Sequence, residues 1–271
     1  MKKIFLVLIG FAFISLESCK NAPELSPGEE LSIETVTSSE DGVGDKVLIR
    51  LKPEVGDVQK TLMTIAMEST GAQTMKMNMR VNMDVSVSGK EGNVYDYALK
   101  YKSIKMDMNA GGMEMNYDSE AKEQTGMGGM IHEQMKPFFE NPMTMKMDER
   151  GKVTEFKLPG NLSAQQMGDM GSMSIPMPEE AVGVGDSWTA TRAMDGTGSL
   201  KMKMTVEKIT VDDVIIGTDG DLTDESGAKI GTFNGNYKLD RNSGLTKDGT
   251  MNMNMTAEGQ PVRMSVNFKS L

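Results

Sequence analysis

The reactive group this sequence supplies in quantity is the thioether. Met-x-Met recurs at Met75/Met77/Met79, Met106/Met108, Met113/Met115, Met143/Met145/Met147, Met202/Met204 and Met251/Met253/Met255, among 28 methionines in 271 residues. Sulfur in that pattern has three uses. Flexible, polarizable side chains fill irregular gaps in a core, and a Met-lined surface adapts to varied apolar partners. Thioethers also select soft ions such as Cu(I) and Ag(I). The apolar-ligand reading draws on Met75, Met77, Met79 and Met83 together with Ile131, Met135, Phe138 and Phe139. The metal alternative draws on Met75, Met77, Met79, Met251, Met253 and Met255. A role as a sink for oxidants is compatible with each of these.

Other chemistries are poorly supplied. His132 is the only histidine; it stands beside Glu133 in a predicted amphipathic helix with no nucleophile motif near it, so it reads as a solvated helix residue. Zinc sites need Cys and His clusters that the chain does not contain, and no glycine-rich phosphate loop of the required spacing is present. Asp219 to Glu225 resembles a calcium loop only in its acids, because Gly220 is second instead of sixth and no Glu closes the loop at position twelve. Acids are numerous, yet nothing singles out a pair for glycoside hydrolysis. The expectation is a non-enzymatic protein with no catalytic residues and no cofactor.

The elements that must position the sulfurs are strands. From Met75 to Val87 every odd position is apolar (Met75, Met77, Met79, Val81, Met83, Val85, Val87) and every even one polar, the pattern of a strand with one dry face. Two methionines at i and i+2 start about 7 Å apart along the backbone, whereas a neighbouring strand lies about 5 Å away. Cross-strand pairs are therefore the better candidates for sharing an ion.

Similar runs follow. Strands are expected at Val47–Leu51 and Val58–Met67; Tyr95, Tyr97, Leu99 and Tyr101 alternate, with a break in phase near Lys102 that reads as a bulge before Ile104, Met106 and Met108. In the middle of the chain, Ile131, Met135 and Phe138/Phe139 have helical spacing within Gly128 to Asn141, with Pro137 expected to cut the helix short. A hairpin at Met143–Leu158 and a second short helix at Ser163–Met170 complete the middle. Six more strands run from Trp188 to Phe268. A faint repeat links Val55-Gly56-Asp57 with Val184-Gly185-Asp186, each opening a strand.

These readings predict a mainly β fold: a curved antiparallel sheet or half-barrel built from two similar half-sheets, about 46–127 and 181–271, joined by a connector at 128–180 with one or two short helices. The connections are too short for helical crossovers. Residues 46–271 then form a single domain.

The N-terminus reads Met1-Lys2-Lys3, an apolar run Ile4 to Leu16, and Leu16-Glu17-Ser18-Cys19, the three parts of a signal peptide. With Cys at the cleavage position, residues 1–18 resemble a bacterial lipoprotein signal, although Glu17 departs from the usual small or apolar residue. The resemblance implies that Cys19 is acylated and that 19–45, rich in Pro, Ser, Gly and acids, is a tether. No later run is long enough to span a membrane. The whole chain carries a net charge of −10, or −11 counted from Cys19 after loss of Lys2, Lys3 and Glu17. Nucleic acid and anionic lipid repel such a surface. The partners expected are a membrane, through the acyl chains, and a hydrophobic small molecule or lipid, for a monomeric protein.

With Leu16–Cys19, the strand-opening Val184-Gly185-Asp186-Ser187-Trp188 and paired sheets around a helical middle, the chain resembles the uncharacterised lipoprotein families of Gram-negative envelopes. Its layout is also similar to the lipoprotein-localisation factors (LolA/LolB-like), whose curved antiparallel sheet holds acyl chains against helices packed in its concavity. That resemblance implies an outer-membrane address, with the helix at Ile131–Phe139 and the Pro-rich loop to Glu179 plugging or gating a cavity.

Overall fold

A computed structural model describes residues 32–37, 45–71, 74–159, 175–194, 198–257 and 259–271. Among them are thirteen strands: β1 (Ser32–Thr37), β2 (Val58–Ser69), β3 (Met75–Glu91), β4 (Val94–Ala110), β5 (Met113–Asp118), β6 (Met143–Asp148), β7 (Val153–Lys157), β8 (Ser187–Met194), β9 (Gly198–Ile209), β10 (Asp213–Thr223), β11 (Lys229–Asp240), β12 (Thr246–Ala257) and β13 (Gln260–Ser270). One helix, α1 (Gly126–Glu140), lies between β5 and β6. The signal segment, Cys19, most of the tether and the helix expected at Ser163–Met170 lie outside the described residues.

The strands form one antiparallel sheet in the order β1-β8-β9-β10-β11-β12-β13-β2-β3-β4-β6-β7, with β5 beside the second half of β4. The expected curved, open, mainly β architecture is what is formed. The seam between the early and late strands is an ordinary ladder, β13 on β2 from Val262↔Ser69 to Ser270↔Thr61, so the halves are continuous. The sheet rolls without closing. Val87, Tyr95, Tyr97 and Met147 from one end share a core with Trp188, Ala190, Met204, Val206 and Ile216 from the other, although six strands separate β3 from β8 in the order.

Alternation sets which side faces in. Along β3, Met79, Val81, Met83 and Val87 are buried, while Lys76, Asn78 and Arg80 are not. In β4 the phase break is a bulge: Asn82 pairs with Ser103 and Met83 with Tyr101, so Lys102 is skipped and both Tyr101 and Ile104 face the core.

The sequence repeat is a repeated turn. Gly56 and Gly185 take positive φ, 101° and 89°, a conformation glycine adopts without a Cβ penalty. Their N–H groups donate to Val87 O (2.9 Å) and Val206 O (2.8 Å), and those valines donate back to the carbonyls of Asp57 (3.0 Å) and Asp186 (2.9 Å). Each aspartate carboxylate then accepts the N–H three residues upstream, of Glu54 or Gly183, at 2.9 Å. The turn starts β2 and β8 in the same way.

Three expectations are corrected. Ser32–Thr37, inside the segment read as a tether, is an edge strand on β8; its alternating Ile33, Thr35-flanked sequence suits a ladder. Val47–Leu51 is not a strand. It makes one bridge, Val47 to Val182, then Leu51 N donates to Glu149 O (2.8 Å) and Lys52 N to Ser243 O (2.7 Å), so it straps three separate turns together. Pro137 does not end α1, which continues to Glu140. Burial of Ile131, Met135 and Phe138 offsets the roughly 3 kcal/mol that an interior proline costs a helix.

Candidate ligand-binding site

Within the roll, side chains leave a cavity of about 250 Å³. Strand register builds it. Val85 stands opposite Leu99 and Leu99 opposite Met143; Tyr97 stands opposite Met145 and Tyr101 opposite Met83. Met63 from β2, Phe268 from β13, and Ile175 and Met177 from the segment before β8 close the remaining sides.

That last wall is firmly held. Trp188 Nε1 donates to Pro176 O at 2.8 Å, and Met177 N donates to Arg150 O at 2.9 Å. Arg50 on the strap donates through Nη1 to Pro178 O (2.6 Å) and through Nη2 to Glu179 O (2.7 Å). Of the Pro-rich loop expected to gate a cavity, the described end thus forms a wall.

Two polar groups in the lining matter. Gln59 is satisfied, its Nε2 donating to Thr246 O at 2.6 Å. The Tyr97 hydroxyl is buried without a hydrogen-bond partner among the described residues, on a side chain 2% exposed. Burial, and then the adjacent Tyr95, push its pKa up, so it stays a neutral donor at any physiological pH. Leaving it unpaired costs about 1–3 kcal/mol. An apolar hollow with a buried, unused donor has the chemistry to hold an apolar body carrying an acceptor.

Of the residues expected to bind a ligand, Met83 lines this cavity. Met75, Met77 and Met79 share its face farther along β3, with Met79 buried and the other two half-buried. Ile131, Met135 and Phe138 pack on β4 and β5 beside the cavity instead of bordering it. Phe138 stacks on Tyr101, ring centroids 5.6 Å apart, and so backs the lining from behind. Phe139 stacks on His132 at 6.2 Å. His132 is not a solvated helix residue: it is half-buried, with Nδ1 3.2 Å from the Tyr117 hydroxyl. Burial, then the Asp118 charge, push that tyrosine up to about 12.

The methionines of the metal alternative lie on two strands, Met75, Met77 and Met79 on β3 and Met251, Met253 and Met255 on β12. With β13 and β2 between them, the two triads stand roughly 14 Å apart and do not converge on one point; each neighbours thioethers of other strands. Among the described residues no group of three or more His, Cys, Asp and Glu could hold a metal ion, and no described helix is long and apolar enough to cross a membrane.

Sequence reasoning passed over Tyr97, Met143 and Met145. A signal was present: a phenol in the middle of the inward run Tyr95, Tyr97, Leu99, Tyr101 needs a partner for its hydroxyl. On the outer face a second hollow, about 430 Å³, lies over Gly217 and Gly235 and is lined by Thr205, Asn234, Asn236 and Asn252; it opens to solvent and holds no buried unpaired group.

An unclosed antiparallel roll with an apolar interior and a helix on one flank is the class that this fold and cavity define. A single family model matches twice, over residues 92–158 and 157–246, together more than half of the chain. The chain belongs to that family, described as a family of unknown function (DUF6263). A comparison with curated proteins returns no match. Among solved structures the chain is similar to lipovitellin, in a structure described as "Lipid-protein interactions in lipovitellin", with a TM-score of 0.50 at 10% identity. The likeness covers 80% of this chain and 25% of that one, so the chain spans about a quarter of lipovitellin's length, and at this identity what is shared is the fold.

Proposed function

We infer that this is a lipid-anchored protein of the cell envelope whose rolled sheet binds a hydrophobic ligand or lipid, without catalysis. The observation that carries the reading is the apolar cavity with the unpaired Tyr97 hydroxyl in its lining. Apolar walls supply affinity by removing ligand surface from water, about 25 cal/mol per Å², and the phenol orients whatever acceptor the ligand carries. The cavity lies just below the usual range for small-molecule sites, about 300–1,000 Å³, so it takes a short apolar body or one end of a longer chain. The fold shared with a protein described by its lipid interactions favours the same reading.

Acylation of Cys19, with the lipoprotein-like Leu16–Cys19 ahead of it, places the domain on a membrane, and the resemblance to Gram-negative envelope lipoproteins gives the outer membrane as its address. Two or three acyl chains hold a soluble domain stably where one does not. A dansylated fatty acid titrated into the purified protein tests the binding claim. Saturable, one-to-one emission enhancement, displaced by unlabelled fatty acid, is expected; enhancement that never saturates would overturn it.

A further inference from the structure

Across the inner face runs a line of thioethers perpendicular to the strands. Register sets Met253 opposite Met264, Met264 opposite Met67, Met67 opposite Met77, Met77 opposite Met108 and Met108 opposite Met115. Six adjacent strands, β12-β13-β2-β3-β4-β5, each contribute one methionine, and no other residue type interrupts them. Directly opposed residues have Cα atoms about 4.5–5.5 Å apart with side chains on the same side. A methionine side chain has three rotatable bonds, so sulfurs of adjacent strands can close on one ion with the backbone unmoved.

Burial argues that the line is more than packing. Met67 is buried and the other five are half-buried, reachable by solvent yet held on the sheet. The next row inward, which the core covers more fully, runs Met251, Val266, Ile65, Met79, Met106, Tyr117. There apolar branched and aromatic residues take half the places. The next row outward runs Met255, Val262, Ser69, Met75, Ala110, Met113, so of these three rows the middle one alone is a thioether at every position. A shell of neutral sulfur suits a soft monovalent ion, while hard divalent cations take oxygen ligands.

We propose that this line binds a soft d10 cation, Cu(I) or Ag(I), with Met264, Met67 and Met77 on three consecutive strands as its centre. None of these three borders the ligand cavity, so the proposal stands independently of the lipid reading.

The test titrates Ag(I) into the full chain carrying Cys19→Ser, which removes the only thiol, with methionine methyl groups labelled for NMR. The methyls of Met264, Met67 and Met77 are expected to shift together and saturate at a fixed ratio of ion to protein, while Met113, Met127 and Met130, 73%, 58% and 67% exposed, lag behind. Shifts led by those exposed methionines, or none, overturn the site. In competition with a chromogenic Cu(I) chelator, the double variant Met67→Leu/Met77→Leu, which keeps apolar volume, is expected to bind about tenfold or more weakly. Unchanged affinity in that variant overturns the site as well, and the NMR readout on the parent decides the matter if the variant fails to fold.

Discussion

The Tyr97 phenol, buried with no hydrogen-bond partner among the described residues, is a standing destabilisation of the fold. Tyr97→Phe removes the hydroxyl and keeps the ring between Val87 and Met145. The variant is expected to be more stable by about 1 kcal/mol in urea denaturation, and to bind a fatty acid more weakly than the parent does. A stability that falls instead would mean that the hydroxyl has a partner in the folded protein. Trp188 is the opposite case: 1% exposed, its single donor is satisfied by Pro176 O, and it pins the wall that carries Ile175 and Met177. Tyr97 could be placed on the inner face from its alternation with Tyr95, Leu99 and Tyr101. That its hydroxyl goes unpaired could not, because an acceptor comes from whichever residue the roll brings near.

Strands were legible wherever a dry face alternates with a wet one, and the bulge at Lys102 was legible because it shifts the phase. Val47–Leu51 misled for the same reason: Val47, Ile49 and Leu51 alternate inward, but their backbone groups bond to turns and not to a neighbouring strand. Alternation reports burial, and a strap is buried like a strand. At the ends of β10, β11 and β12 a charge cluster fastens the sheet, with Lys247 Nζ 2.8 Å from both Asp213 and Asp240. Lys247, the N–H of Ser243 and the other donors around it hold the Asp240 carboxyl down to about 2 from an ordinary 3.8. A carboxylate with a lowered folded-state pKa stabilises the fold above its unfolded value and loses that contribution as pH falls through its folded value. Stability is therefore expected to drop between about pH 4 and pH 2, and Asp240→Asn to flatten that drop in acid titrations followed by circular dichroism. An Asn variant with the parent's acid profile would remove Asp240 from the account.

The two halves foreseen in the sequence are joined by a full ladder and both contribute to each of the two hydrophobic clusters, so they are expected to unfold together. Emission of Trp188, the only tryptophan, sits in the late half, and far-UV circular dichroism reports every strand; the two transitions should coincide in urea. Separate midpoints would divide the molecule at the β13–β2 seam. The repeat of Val-Gly-Asp was readable, since like residues build like turns. The cavity and the methionine line were not, since both depend on which residue faces which across strands distant in the chain. A closed barrel has its circumference fixed by a complete ring of backbone hydrogen bonds. Among the described residues this sheet runs from β1 at one end to β7 at the other, with β5 a further edge on β4, and its girth is set by side chains meeting across the interior. Opening it around a bulkier guest therefore breaks no rung of the ladder, and the backbone does not cap the size of a guest at the volume of the hollow.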